Sequence, residues 1–389
     1  MSVKAGRGLR AWDVLALGLN AIVGSGIFLF PGTLAELAGP SSALVFAVTA
    51  LLLGAVALCY AELGGMFAGS GGADLYAREA FGDRVGYGVG VLAWTTAVFS
   101  WAAVASLLAG HLAWVHPAFG APWAGRLAAA SLLALFGAVN YRGIRPGAWT
   151  VDALTVAKLV PLALFVVLCL PKADPANFTP FFSGSGRWGY AVFLALWALQ
   201  GFEVAPVPAG EAGNAQRDVP RAVLGSLVVA AVLYALVQAA AVGVHSGLAA
   251  SSERPLADAA RAALGPWGER LLAAGGIVSM MGFMAGAALG GPRYLSALGE
   301  RHLGAWRLGE ADPDTGVPRR AVFATTAFGA ALVLFLPSMS LVDMANFSVV
   351  TQYLASAVAV PVLRRRRPDL ARPYRLPAAD ATAAVAVLV

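Results

Sequence analysis

The chain has 389 residues, of which 59% are hydrophobic and 12% are charged, and its mean hydropathy is +0.73. Soluble domains carry about 25% charged residues, and a globule in water keeps a polar exterior. This composition therefore excludes a soluble protein and indicates one whose solvent is a lipid bilayer. The net charge of +6 does not favour a nucleic-acid partner, because the distribution of the basic residues fits membrane topology better. The two cysteines, Cys59 and Cys169, lie inside apolar stretches and indicate neither a disulfide framework nor a metal site.

Long apolar stretches favour membrane helices over the short alternating strands of a barrel. A spanning helix needs about 20 mostly apolar residues. In chain order, ten stretches approach or exceed that length: 13–38, 41–67, 85–111, 124–141, 149–170, 188–211, 221–244, 266–291, 319–336 and 341–363. A further apolar stretch at 376–389 is too short to cross, so it is either re-entrant or cut short.

The distribution of lysine and arginine predicts the orientation, because basic residues concentrate in cytoplasmic loops. With ten spans, twenty basic residues fall on the side of the N-terminus and six on the opposite side. The sequence thus predicts a multi-pass protein of the cell inner (cytoplasmic) membrane with a cytoplasmic N-terminus, whose first span is a retained helix rather than a signal peptide. On the outer side, 252–264 reads as a short amphipathic helix, capped by Ser252 and ended at Gly265, that is either a gate or a surface helix.

In the first predicted span, Gly24-Ser25-Gly26, followed by Pro31, predicts a point where the helix unwinds. Glycine in a helix interior costs about 1 kcal/mol relative to alanine. Unwound backbone at membrane depth is tolerated only where it lines a cavity or packs against protein. The alternative is close helix packing by small residues.

The sixth predicted span is interrupted in the same way by Gln200-Gly201-Phe202-Glu203, with two prolines shortly after. An amide, a glycine and a carboxylic acid here lie at membrane depth, where ionisable groups are costly and are candidates for function. The two interruptions are five spans apart. Interrupted helices at matching positions of two halves are typical of the binding site of a transporter.

Four ordered motifs give the chain a family resemblance: GSGIF at 24–28, YAEL at 60–63 followed by SGG at 70–72, GFE at 201–203, and the basic tail RRRRPDLARPYRLP at 364–377. With these motifs the chain resembles the amino acid permeases of the amino acid–polyamine–organocation (APC) superfamily. The resemblance implies an all-α integral membrane fold of LeuT-like five-plus-five inverted repeats with broken first and sixth helices. It further implies one transmembrane domain over 1–389, with repeats at about 11–171 and 186–363 and a partial segment at 376–389.

An amino acid substrate presents one carboxylate and one ammonium, and neither enters hydrocarbon unpaired. We expect the carboxylate at the backbone N–H groups of Ser25, Gly26 and Ile27, because the start of a helix binds anions. We expect the ammonium at carbonyls near Ile22, Trp197 and Gln200. In relatives an aromatic side chain closes over the substrate, and the resemblance gives Trp197 or Phe202 that position. The predicted substrate site is therefore Ile22, Gly24, Ser25, Gly26, Ile27, Trp197, Gln200, Gly201 and Phe202.

Two ionisable residues lie inside predicted spans. Lys158 is about nine residues into the fifth span, or ~13 Å deep. In sodium-coupled relatives a cation bridges the first and fifth spans, so Lys158 either replaces that cation in proton-coupled or sodium-independent exchange or is a fixed structural cation. Glu203 either relays protons or holds the unwound sixth helix through N–H groups. We expect Glu62 and Glu36 to be solvated or capping carboxylates, and Asn20 and Gln238 to join helices.

The predicted function is secondary active transport of amino acids by alternating access. Neutral substrates are favoured because the proposed pocket has no acidic residue besides Glu203; the alternatives are an antiporter for cationic amino acids or polyamines and a membrane sensor that does not transport. We expect no enzyme activity, cofactor or metal, since the four histidines lie at span ends or in loops. Expected partners are a small amino acid, a proton and the lipid bilayer, with a monomer or homodimer as the assembly.

Overall fold

The computed structural model describes residues 11–67, 72–142, 144–207, 213–251, 254–301 and 306–388, and within these ranges it contains helices and no strand. Fourteen α-helices follow one another: α1 Ala11–Ile22, α2 Gly26–Ala38, α3 Val45–Met66, α4 Ala73–Phe81, α5 Asp83–Val115, α6 Pro122–Arg142, α7 Ile144–Cys169, α8 Trp188–Leu199, α9 Ala215–Val244, α10 Pro255–Leu264, α11 Pro266–Arg301, α12 Arg319–Phe335, α13 Ser338–Arg366 and α14 Ala379–Leu388. The protein is thus an all-α membrane protein.

Eight of the ten predicted spans each correspond to one helix, namely α3, α5, α6, α7, α9, α11, α12 and α13. By length and composition, six helical segments of the described chain are suited to cross a membrane: Gly26–Met66, Asp83–His111, Trp123–Arg142, Ala215–Val244, Pro266–Glu300 and Ser338–Arg366. The protein is therefore multi-pass. The count of ten stays a prediction, because it also needs α7, the 17-residue α12 and the two interrupted spans.

The first and sixth predicted spans are both interrupted. The first consists of α1, which ends at Ile22, and α2, which begins at Gly26. The sixth has only α8, which ends at Leu199, and a 3-10 turn at Phe202–Val204; residues 208–211 of that prediction lie outside the described part of the chain. Gly201 between them has φ +129°, a backbone conformation that disfavours any residue with a Cβ.

The helices pack mainly as two groups, which also contact each other through α7 with α9 and through α13 with α3. In one group α3 packs along α9 and α8, and α1 packs along α9. In the other, α11 and α13 pack along α5, and α11 also packs along α7. Residues 23–27 of the first interruption and 201–202 of the second are buried, so their open backbone is shielded from lipid.

The short helices lie at the ends of the long ones. The expected helix at 252–264 is present as α10, which ends before Gly265, while Ser252 lies outside the described residues. α10 packs on α11 and on α2. At the other end of the chain, α14 is only 10 residues long and packs on α13 and α3.

Candidate functional site

The two interruptions lie directly against each other. A Cβ on Gly26 would be 2.6 Å from the Cβ of Ala198 in α8. A Cβ on Gly201 would be 2.6 Å from both the carbonyl carbon of Ala21 and the amide nitrogen of Ile22 in α1. Because neither contact leaves space for a side chain, glycine is needed at both positions. The start of α2 thus touches α8, and the turn after α8 touches the end of α1.

The start of α2 presents main-chain donors and a buried hydroxyl. The first turn begins with hydrogen bonds from the N–H groups of Phe28 and Leu29 to the Ser25 carbonyl, at 3.0 and 3.2 Å. The N–H groups of residues 25–27 precede these bonds and have no intrahelical acceptor. The N-terminal end of α2 therefore carries partial positive charge. The Ser25 hydroxyl is buried, does not cap the helix and has no hydrogen-bond partner among the described residues.

The second interruption adds two more buried polar atoms. Within the described structure, neither Trp197 Nε1 nor Gln200 Oε1 has a hydrogen-bond partner. The side-chain nitrogen of Gln200, Nε2, donates to the Trp197 carbonyl at 3.2 Å. The Trp197 ring lies beside Gly26 and 5.5 Å from the ring of Phe30. Buried polar groups normally have partners, so these three atoms near the two interruptions are candidates for contacts with a ligand or water.

Phe202 and Glu203 face a different environment from Trp197. Phe202 is fully buried, with its ring stacked 5.5 Å from that of Tyr353 and edge-on to that of Tyr60 at 5.9 Å. Glu203 Oε2 accepts hydrogen bonds from the Gly201 N–H at 2.8 Å and the Tyr353 hydroxyl at 2.9 Å. Of the two aromatic candidates, the structure therefore brings Trp197 to Gly26. The bonds of Glu203 favour its role in holding the turn.

Lys158 joins α7 to the open end of α1. Its ammonium nitrogen lies 2.8 Å from the Asn20 carbonyl, 2.5 Å from the Asn20 side-chain oxygen and 2.5 Å from the Val23 carbonyl. The residue is fully buried. A lysine ammonium has three protons, and three oxygens surround this one. The ammonium thus replaces the helical bonds that α1 lacks after it ends at Ile22.

Three further residues reach the first interruption and were not predicted from the sequence. The Tyr234 hydroxyl in α9 donates to the Ile22 carbonyl at 3.1 Å, and the Ser279 hydroxyl in α11 donates to the Gly24 carbonyl at 2.9 Å. The Phe283 ring lies 3.3 Å from the position of a Cβ on Gly24. The only sequence signal for the two donors is a hydroxyl inside an apolar helix.

A family model described as amino acid permease matches residues 9–389. The chain belongs to this family. Its relatives from Bacillus subtilis include the branched-chain amino acid permease BcaP, 27% identical over 98% of this chain and 86% of the relative. The methylthioribose transporter is 25% identical over 97% and 85%, and the serine/threonine exchanger SteT is 27% identical over 93% and 84%.

In this permease Glu62 is not the solvated or capping carboxylate that was expected. It is 1% exposed and forms an ion pair with Arg364, and it also accepts the N–H of Leu376 at 2.9 Å. The expectation was wrong because the partners of Glu62 lie about three hundred residues later in the chain, so the sequence around Glu62 does not reveal them. Glu36, the other carboxylate of that pair of predictions, is exposed.

Two side chains of the permease join helices as expected. The Asn20 side chain connects α1 to Lys158 of α7. The Gln238 amide in α9 donates to the Pro31 carbonyl and the Ser42 hydroxyl, both at 3.0 Å. These contacts tie both halves of the first span to uninterrupted helices. In the described part of the permease, no group of three His, Cys, Asp or Glu side chains is placed to hold a metal ion.

Proposed function

We propose that this permease is a secondary active transporter of neutral amino acids that works by alternating access, as a proton-coupled symporter or a sodium-independent exchanger. The observation that carries the proposal is the contact between the two interruptions, with the unpaired Ser25, Trp197 and Gln200 atoms at the junction. A zwitterion needs a donor set and an acceptor set at opposite ends, and two opened helices supply both.

The proposed recognition is mainly by main chain. The substrate carboxylate binds the N–H groups of Ser25, Gly26 and Ile27 with help from the Ser25 hydroxyl. The substrate ammonium binds carbonyls near Ile22, Trp197 and Gln200. The Ile22 carbonyl already accepts from a tyrosine hydroxyl, but a carbonyl oxygen has two lone pairs and accepts a second donor.

The preference for neutral amino acids follows from charge. A cationic side chain would need an acidic partner. Glu203 is the candidate, and its carboxylate is engaged by Gly201 and Tyr353. The printed names of two relatives, for branched-chain amino acids and for serine and threonine, agree with a neutral substrate, whereas a human relative that is 28% identical over 94% of this chain is named cationic amino acid transporter 4.

The position of Lys158 supports the proposed coupling of proton release to substrate binding. Its ammonium satisfies three oxygens at the end of α1, next to the residues assigned to the substrate. Loss of a proton would remove at least one of these bonds, and the open end of α1 would have to rearrange. Proton release and the shape of the substrate site would then be coupled through the same carbonyls. A permanently charged Lys158 would instead fit sodium-independent exchange.

A thermal-shift screen of the purified protein against the twenty amino acids tests the substrate class, because a ligand that binds the native state raises its stability. We expect neutral amino acids to raise the unfolding temperature and lysine and arginine not to. Counterflow of the best ligand in proteoliposomes then separates a carrier from a sensor. Binding without flux would contradict transport, and stabilisation by arginine alone would support the cationic alternative.

Ser25→Ala tests the site itself. The variant should weaken binding of the ligand by about tenfold, the effect of one hydrogen bond to a charged group. Ser226→Ala is the matched control, since it also removes one buried hydroxyl, whose bond is to Val223 in its own helix. Equal affinities of the two variants would remove Ser25 from the site.

A further inference from the structure

Glu62 is a buried carboxylate that the proposed substrate site does not use. It lies near the end of α3 and is 1% exposed. Two atoms of the Arg364 guanidinium donate to it, Nε at 2.8 Å to Oε1 and Nη2 at 2.5 Å to Oε2. Such bidentate pairing is among the strongest between charged groups. An ionised carboxylate in this position depends on its partners, since a charge left buried without one is costly.

The partners of Glu62 come from one segment, residues 364–376, which we call the C-terminal strap. Its last N–H, that of Leu376, donates to Glu62 at 2.9 Å, and Arg372 Nε lies 3.7 Å from Glu62 Oε1. Arg372 is itself 5% exposed. Its guanidinium also donates to the carbonyls of Leu363, Arg367 and Leu370 at 2.8 to 3.0 Å. The C-terminal strap is thus folded around two arginines that converge on one carboxylate.

The C-terminal strap connects the two groups of helices. Glu62 is on α3, which packs along α8 and α9, whereas Arg364 is on α13, which packs along α5. The strap also reaches α4, because Arg367 pairs with Glu79 at 3.6 Å and Arg366 donates to the Ala80 carbonyl at 3.1 Å. Beyond the strap, α14 packs on both α13 and α3. α3 and α13 also pack directly against each other, and their separation at this end would break the bonds of Glu62.

We propose that Glu62 and the C-terminal strap form a latch that holds α3 to α13 on the face predicted to be cytoplasmic, and that this latch opens when the two helices separate. The role of the latch in transport rests on the proposed function, because alternating access requires one face of the protein to open. Its closure, however, is a property of the resting protein and is testable without substrate or flux.

The native cysteines report on the latch. Cys59 is three residues before Glu62 on the same face of α3, and Cys169 is at the end of α7; both are fully buried, and the chain has no other cysteine. Glu62→Gln should raise the rate of Cys59 alkylation by a small maleimide by about tenfold or more, since one partner of a buried ion pair is lost. The rate at Cys169 should stay unchanged. Mass spectrometry of the protein in nanodiscs measures both sites in one sample.

Arg364→Gln should have the same effect as Glu62→Gln, and the double variant should be less reactive at Cys59 than the product of the two single effects. Arg365→Gln changes the exposed neighbour and should leave both cysteines as in the wild type. If Glu62→Gln does not fold, Arg364→Lys keeps the charge but loses the bidentate bond and should give a smaller rise at Cys59. Unchanged Cys59 reactivity in the folded variants would overturn the latch, and so would an equal rise at Cys59 and Cys169, which would mean general loosening.

Discussion

Gly26 shows how one residue can serve two requirements. The sequence predicts glycine there because a substrate carboxylate must come close to the backbone. The structure adds a second reason, since Ala198 of α8 occupies the space where a Cβ would be. Loss of binding in a larger variant would therefore report on helix packing as well as on the ligand. A compensating change on α8 separates the two causes.

Gly26→Ala should lower the stability of the protein by about 1–3 kcal/mol, the usual effect of overpacking. Ala198→Gly alone should cost about 1 kcal/mol, because glycine weakens a helix. The double variant should be more stable than Gly26→Ala, since the nearest atom, the Ala198 Cβ at 2.6 Å, is gone, but it should stay below the wild type because the Ala198 Cα remains at 2.9 Å. Thermal unfolding of the four proteins measures this. Additive losses would show that the two residues do not compete for the same space.

Single residues differ in how far the sequence predicts their surroundings. The breaks at Gly24–Gly26 and at Gly201 follow from local composition, and both occur. The depth of Lys158 is likewise a matter of counting along a helix. The three oxygens that accept from Lys158 could not be predicted in this way, because they depend on how α7 lies against α1. Glu62 was assigned wrongly for the same reason, since local sequence carries no information on Arg364.

At the scale of elements, the interrupted first span is held by three uninterrupted helices. Lys158 of α7, Tyr234 of α9 and Ser279 of α11 each donate to a carbonyl at or just after the end of α1. Carbonyls at the end of a helix need external donors. The end of α1 therefore keeps its position only while these helices keep theirs, and any one of them can transmit a change to the substrate site.

Lys158→Ala should reduce the initial rate of uptake by about tenfold or more, since buried carbonyls lose their donor, and the remaining uptake should no longer depend on pH. Uptake into proteoliposomes at a series of external pH values measures both effects. Lys172→Ala is the matched control, because Lys172 is exposed and donates to a single carbonyl, that of Ala263. A Lys158→Ala protein with the pH profile of the wild type would contradict the coupling role.

Helix boundaries were predictable where glycine and proline mark them and less so elsewhere. α10 ends before Gly265 as expected. In the sixth span, predicted at 188–211 with a break at Gln200–Glu203, α8 ends at Leu199 and the chain turns at Gly201, in agreement with that break. That turn is stabilised by Glu203 and by contact with α1, and such long-range support is not visible in a hydropathy pattern.

For the molecule as a whole, the distribution of basic residues predicts which face is cytoplasmic. α4 and the C-terminal strap lie on the predicted inner face, and α10 lies on the predicted outer face. The assignment of the two faces uses charge alone, because basic residues concentrate in the cytoplasmic loops of membrane proteins. Five-plus-five inverted repeats remain a prediction from the family resemblance.

Single cysteines in a protein lacking Cys59 and Cys169 test the orientation. Asp83→Cys, just after α4, should react with a membrane-impermeant maleimide only after the cells are broken, whereas Ala262→Cys on α10 should react in intact cells. Both positions are exposed, so a difference in labelling reflects the side of the membrane. The reverse pattern would invert the topology and place the latch of Glu62 on the outer face.

The contact between Gly201 and the backbone of Ala21 and Ile22 has a consequence for how permeases of this kind diversify. A contact made of main chain offers no side chain whose exchange could alter substrate preference. We therefore expect changes of specificity to come from the side chains around the contact, at positions such as Phe30, Trp197 and Phe283.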